Sequence, residues 1–274
     1  MSSKNLKLES YGVKISIDVA EVHQKQRVLD RLEDILPIEF KVLGSNAKTR
    51  HHFSIKPEKK KKFSLLKGDE NVLSNTDEDQ MLERLDSNIR LTVAEFAVDH
   101  VFVHSGVVEW KGKAIMIPAS SYDGKTTMVA ELVKKGATYY SDEYAILNEK
   151  GLVTPFPKTL SIREASNNGK QVEYPVETFG GKRGVKPLPI GMVLVTKYKK
   201  GSHWKPELLT RGEGVLEIIS HTVPIRNNPE FSLTVLNKVV ENALIVKSNR
   251  GEASRFVNTL IKFYEERVTN SGCS

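Results

Sequence analysis

The chain has 274 residues, 41 Lys+Arg against 34 Asp+Glu for a formal net charge of +7, and 39% apolar and 27% charged residues. At about 150 residues per domain, this is one large or two small globular domains with a sizeable core. A single cysteine, Cys273, excludes an intrachain disulfide framework, a thiolate zinc site and an iron–sulfur cluster.

The first residues, Met1-Ser-Ser-Lys-Asn-Leu-Lys-Leu-Glu9, alternate charge with single apolar residues and lack the apolar core of a signal peptide. No apolar run approaches the ~20 residues of a membrane span. The expected compartment is the cytoplasm, with no membrane partner.

Residues 1–100 read as an α+β unit of unknown role. The period-two alternation over 11–19 predicts a half-buried strand, and the spacing of Val22, Leu29, Leu32 and Leu36 predicts an amphipathic helix over 21–36, stopped by Pro37. Strands are expected at 51–55 and 63–66, flanking Lys56-Pro-Glu-Lys-Lys-Lys-Lys62. That run has no aromatic or arginine interleaving of the kind a base-stacking surface uses, so it reads as a solvated hairpin tip and nucleic acid is not expected. Asn75-Thr76-Asp77-Glu78 offers caps for a long helix to about residue 98, with Leu82, Leu85, Ile89, Val93 and Phe96 on its apolar stripe.

From residue 101 the pattern changes to short, nearly continuous apolar strands at 101–103, 106–109 and 114–117, with a turn at Lys111-Gly112-Lys113. A helix over about 125–135 is closed by Gly136, and strands follow at 138–141 and 144–147. Prolines 155, 157, 175, 187 and 189 punctuate a long irregular stretch. This stretch, 155–190, which includes Gly180-Gly181-Lys182-Arg183-Gly184, reads as a plain surface loop, with a mobile phosphate-facing lid as the second reading. A strand over 192–196, helices over 213–220, 230–242 and 251–267, and a last strand over 243–246 complete the second unit, 101–274. The fold class expected is α/β: a mixed sheet with flanking helices behind the α+β N-terminal unit.

The most informative segment is Ile117-Pro-Ala-Ser-Ser-Tyr-Asp-Gly-Lys-Thr-Thr127. A P-loop needs inward-pointing backbone amides, a lysine on the β/γ-phosphate oxygens and a hydroxyl on Mg²⁺. An apolar strand enters this segment and a helix leaves it, adding its N-terminal dipole toward an anion. Gly124 permits close backbone approach, Lys125 supplies the charge and Thr126 the hydroxyl, with Ser120, Ser121, Tyr122, Asp123 and Thr127 completing the nucleotide-binding segment. Ala119 stands where the usual G-x-x-x-x-G-K-[ST] pattern has its first glycine.

Asp142 and Glu143 lie between two apolar strands, seventeen and eighteen residues after Lys125. Carboxylates there could hold Mg²⁺ or accept a proton from an attacking hydroxyl, although alone they would read as a hairpin turn. His104 ends the strand before the loop and suits a proton relay or a satisfied strand end.

Taken together, His104-Ser-Gly-Val-Val108, the 119–127 loop and Ser141-Asp-Glu143 resemble the catalytic half of bacterial HPr kinase/phosphorylase, with its phosphoenolpyruvate-carboxykinase-like P-loop core. The resemblance covers about residues 101–165. It implies an ATP- and Mg²⁺-dependent serine kinase in which Lys125 and Thr126 bind phosphates and metal, Asp142 is the general base with His104 nearby, and Glu143 stands in for a second metal-side aspartate. Arg163 would match the arginine of a later signature whose preceding glutamate and following glycine are missing here. These departures weigh against phosphorylase activity and against HPr as the acceptor. Arg226 in Pro224-Ile-Arg226 is a weaker match to a further arginine-bearing loop.

The expected function is therefore transfer of phosphate from ATP to a hydroxyl, with serine of a peptide or small protein as acceptor. The alternative is a nucleotide-binding regulatory module without transfer chemistry. A basic surface that binds an acidic scaffold or nucleic acid ranks third. Homo-oligomer formation is left open.

Overall fold

A computed structural model describes residues 4–36, 40–120, 124–163 and 171–269. The chain forms two compact units that meet in sequence between Asp99 and His100. It is mixed α/β, with helices flanking mixed sheets. Among the described residues no helix is long and apolar enough to cross a membrane.

The first unit is a six-stranded sheet in the order β3-β1-β2-β4-β5-β6. Its strands are β1 (Asn5–Ser10), β2 (Val13–Asp18), β3 (Lys41–Val42), β4 (His51–Pro57), β5 (Phe63–Lys67) and β6 (Glu70–Thr76). The region expected as one strand over 11–19 is the second arm of a hairpin. Tyr11 and Gly12 both have positive φ, 48° and 76°, a two-residue turn whose twist matches that of the flanking strands. At Gly12 a Cβ would also fall 2.6 Å from Val98.

Helix α1 (Val22–Ile35) carries β2 over to β4, and this crossover makes that pair parallel. Helix α2 (Glu78–Phe96) is capped by the Asp77 side chain, which accepts from the Gln80 N–H at 2.9 Å. Leu82, Leu85, Ile89 and Val93 of α2 are buried. Arg31 of α1 donates to the buried Asp86 of α2 at 2.7 Å. The lysines 59–62 form an exposed turn between β4 and β5, with Pro57 paired to Phe63.

The second unit is a larger mixed sheet in the order β11-β10-β7-β8-β14-β16-β15, with β9 paired to the far half of β7. The strands are β7 (His100–Trp110), β8 (Lys113–Pro118), β9 (Thr138–Ser141), β10 (Tyr144–Asn148), β11 (Val153–Thr154), β14 (Ile190–Tyr198), β15 (Glu207–Leu208) and β16 (Leu244–Arg250). A separate hairpin, β12 (Leu160–Arg163) with β13 (Gln171–Tyr174), occupies part of the stretch expected to be irregular.

The strands expected at 101–103 and 106–109 are one strand, β7. Gly106 does not break it, because a Cβ there would fall 2.7 Å from Val129 Cγ2 and 3.1 Å from Lys125 Cγ. The glycine lets helix α3 (Lys125–Lys134) close onto the sheet. Helices α3 and α6 (Ala253–Tyr264) share one apolar cluster with Val108, Ile115, Ile117 and Leu194. Helices α4 (Arg211–Ile219) and α5 (Pro229–Asn242) share another with Val107, Met116 and Val193. Strands β8, β14 and β16 are mutually parallel, so their C-terminal ends share one edge. In open α/β sheets that edge is where ligands bind.

The 180–184 segment is tied to β9, in keeping with the surface-loop reading. Tyr139 N–H donates to Lys182 O at 2.8 Å, and Gly184 N–H to Tyr139 O at 2.7 Å. A Cβ on Gly184 would fall 2.3 Å from the Tyr140 ring, and Arg183 pairs with Glu177.

Candidate functional site

The loop after β8 leads into α3 through Gly124, whose φ of 76° is left-handed and favours glycine. Ser121, Tyr122 and Asp123 of the expected nucleotide-binding segment lie outside the described residues. Lys125 opens α3 with only 8% of its surface exposed. Its ammonium lies 3.1 Å from His104 Nδ1 and donates to Ala119 O at 3.4 Å.

His104 Nδ1 is also 2.8 Å from Ala119 O. The carbonyl only accepts and the Lys125 ammonium only donates, so the two contacts ask opposite roles of Nδ1 and the ring's tautomer follows whichever of them holds. Burial, then the neighbouring Lys125 charge, lower the His104 pKa below its ordinary value. The imidazole is therefore neutral at pH 7. Tyr144 packs edge-on against the ring, with centroids 5.8 Å apart.

One residue further along α3, Thr126 Oγ1 donates to Asp142 Oδ2 at 3.0 Å. The Tyr139 hydroxyl donates to Asp142 Oδ1 at 2.9 Å, and Ser161 N–H approaches Oδ2 at 3.5 Å. Asp142 is 4% exposed, so these donors replace water around a buried carboxylate. Burial, followed by the Asp142 charge, raises the Tyr139 pKa well above its ordinary value, so this hydroxyl remains a donor. Strand β9 places Tyr139, and the turn from β9 to β10 places Asp142, with Ser141 Oγ accepting from the Glu143 and Tyr144 N–H groups.

The expected residues divide into two groups. His104, Lys125, Thr126 and Asp142 form a contiguous cluster around the start of α3. Glu143 turns to Lys158, 3.7 Å away. Its charge, like that of Asp142, acts on His104. Ser120 is exposed at the loop's entrance, and Thr127 lies on the first turn of α3. Arg163 ends β12, and its side chain lies outside the described residues. Arg226 is exposed in a short 3-10 turn.

Two residues of the cluster are absent from the sequence reading. Tyr139 is one. The other is Arg250, the last residue of β16, whose guanidinium donates to Gly124 O at 3.2 Å and to Gly251 O at 3.1 Å. It is 3% exposed, and its Cζ lies 5.6 Å from the centre of the Tyr198 ring. A Cβ on Gly124 would fall 2.5 Å from Arg250 Nη2, so that guanidinium would have to shift, while the φ of 76° itself favours glycine. The available signal was a cation ending an apolar parallel strand just before a glycine.

Lys125 and Arg250 put two cations beside the N-terminus of a ten-residue helix, while Thr126 and Asp142 set a hydroxyl against a carboxylate. This donor set suits a phosphate chain with an oxygen-seeking divalent cation such as Mg²⁺. No cluster of three or more His, Cys, Asp or Glu ligands occurs among the described residues. Mg²⁺ commonly needs fewer protein ligands, because phosphates and water complete its shell.

Comparison with protein-family models finds no match to this chain, and comparison with curated proteins finds none either.

Proposed function

We propose that the chain is an ATP- and Mg²⁺-dependent phosphotransferase with a P-loop core of the HPr kinase type, acting on a hydroxyl such as serine of a peptide or small protein. The observation that carries this reading is the 3.0 Å hydrogen bond from Thr126 Oγ1 to Asp142 Oδ2, one residue after Lys125. In P-loop enzymes a Ser or Thr following the lysine and a nearby aspartate hold the metal together.

Thr126 and Asp142 would hold Mg²⁺. Held there, the metal would supply charge neutralisation for the transferring phosphoryl group. Lys125 and the Arg250-braced turn at Gly124 orient the phosphates and stabilise the same charge from the protein side. His104, neutral at pH 7 and beside Lys125, would assist removal of the proton of the acceptor hydroxyl. Asp142 is the general base that the family resemblance implies, with His104 nearby.

Both Asp142 oxygens already accept hydroxyl hydrogen bonds, which favours a second reading as a regulatory module that binds nucleotide without transferring phosphate. Substitution Asp142→Asn separates the two. With labelled ATP and a serine peptide or protein acceptor, a kinase retains nucleotide affinity and loses turnover. A module without transfer chemistry shows no turnover in either form.

A further inference from the structure

At the same C-terminal sheet edge as the 119–127 loop, the ends of β14 and β16 and the chain between β14 and β15 enclose a cavity of about 650 Å³. Its lining includes Lys197, Lys199, Lys200, Lys205 and Lys247. The acidic groups lining it are Glu207 and Glu217, and Lys247 is already paired with Glu217. The other four lysines form no ion pair among the described residues. Like charges gathered this closely oppose compaction unless something neutralises them.

The cluster is built into the fold. Lys199 N–H donates to Arg250 O at 2.9 Å, and Ser202 N–H closes a turn onto Lys199 O at 3.0 Å. The φ of 76° at Gly201 permits that turn. Lys205 N–H then donates to Ser248 Oγ at 3.1 Å, tying the far end of the loop to β16. One lining residue also carries an unpartnered polar atom. Thr196, which lines it, is 6% exposed, and its buried hydroxyl meets no hydrogen-bond partner among the described residues.

We infer that this cavity binds a small polyanion carrying two or more phosphate or carboxylate groups. Its volume lies within the ~300–1,000 Å³ of small-molecule sites. No Phe, Tyr or Trp is among its lining residues, so it offers no platform for stacking a nucleotide base or a single strand. One lysine near the end of β14 and three on the tied loop suit several anionic groups on one compact molecule. The site is separate from Lys125 and stands whether or not the 119–127 loop binds nucleotide.

The test is calorimetric titration of the full chain with inorganic pyrophosphate and, separately, with citrate. The proteins compared are wild type, Lys125→Ala, the exposed double variant Lys197→Gln/Lys199→Gln, and a control double variant Lys59→Gln/Lys60→Gln. At least one probe is expected to bind Lys125→Ala, with affinity reduced about tenfold or more by the Lys197/Lys199 changes and unchanged in the control. Whether pyrophosphate or citrate binds more tightly decides between phosphate and carboxylate ligands. Three results would overturn the inference: neither probe binding Lys125→Ala, equal binding by the Lys197/Lys199 variant, or equal losses in the two double variants. Melting curves of each variant show whether any loss reflects unfolding.

Discussion

The Arg250 guanidinium donates to the Gly124 carbonyl at 3.2 Å, joining the end of β16 to the residue that starts α3. The Gly124 carbonyl also accepts the first helical hydrogen bond, from Met128 N–H at 3.1 Å, so it does not depend on Arg250 alone for a partner. Arg250 therefore shapes and charges the turn more than it holds the fold. The Arg250 guanidinium donates here to neutral carbonyls, and removing its buried charge relieves a desolvation cost that offsets the hydrogen bonds lost. Arg250→Met should leave the thermal midpoint near that of the wild type while weakening ATP binding about tenfold, the loss of one charge-assisted contact. Paired melting and calorimetry check this, and a collapse of the midpoint with unchanged affinity in the remaining folded protein would contradict it.

Gly124 and Gly136 both have positive φ, 76° and 100°, but only Gly124 faces a neighbour that an added Cβ would strike. Gly136→Ala should cost the conformational part alone, about 1–2 kcal/mol. Gly124→Ala should cost more, because Arg250 Nη2 would have to move. Urea denaturation of the two variants measures the difference, and equal losses would show that Arg250 is not held against the turn.

The Tyr139 hydroxyl supplies one of the two hydroxyl hydrogen bonds to buried Asp142. Removing it in Tyr139→Phe leaves Oδ1 without that donor and should destabilise the protein by about 1–3 kcal/mol. Urea denaturation reads this directly. Thr126→Ser should keep the bond to Oδ2, whereas Thr126→Val should lose it together with the Mg²⁺ dependence of ATP binding.

Much of this arrangement was readable in the sequence, because its signals are local. Gly124-Lys125-Thr126 between an apolar strand and a helix carried the loop, and the period-3.6 stripe from Leu82 to Phe96 carried α2. The N-terminal hairpin was missed because the alternation of charged and apolar residues over Asn5–Ser10 was weighed only against a signal peptide, although it gives a strand one buried face. The unity of β7 was hidden by Gly106, whose reason is a helix packed from nineteen residues away. Arg250 was out of reach for the same cause: its partner lies 126 residues earlier, and only the parallel order of β8, β14 and β16 brings the two together.

The lowered pKa of His104 has a consequence for stability. Between the folded-state pKa and the ordinary value of about 6.5, the unfolded chain binds more protons than the folded one. Stability from this group is thus complete above pH 6.5 and is lost as the pH falls below it. His51, also lowered by burial, adds a second contribution of the same sign. His104→Gln should reduce the stability lost between pH 7 and pH 5 without abolishing it. Denaturation midpoints across that range provide the check, and an unchanged slope would place His104 in contact with water.

The phosphotransferase account rests on the 119–127 loop binding a nucleotide through Lys125. The measurement that bears on it first is calorimetry of ATP with Mg²⁺ on wild type and Lys125→Ala. The account predicts binding by the wild type in the roughly micromolar to millimolar range usual for enzyme substrates, with no detectable binding by the variant. Equal binding by both proteins, or none by the wild type, would contradict it and leave Gly124-Lys125-Thr126 as a structural turn.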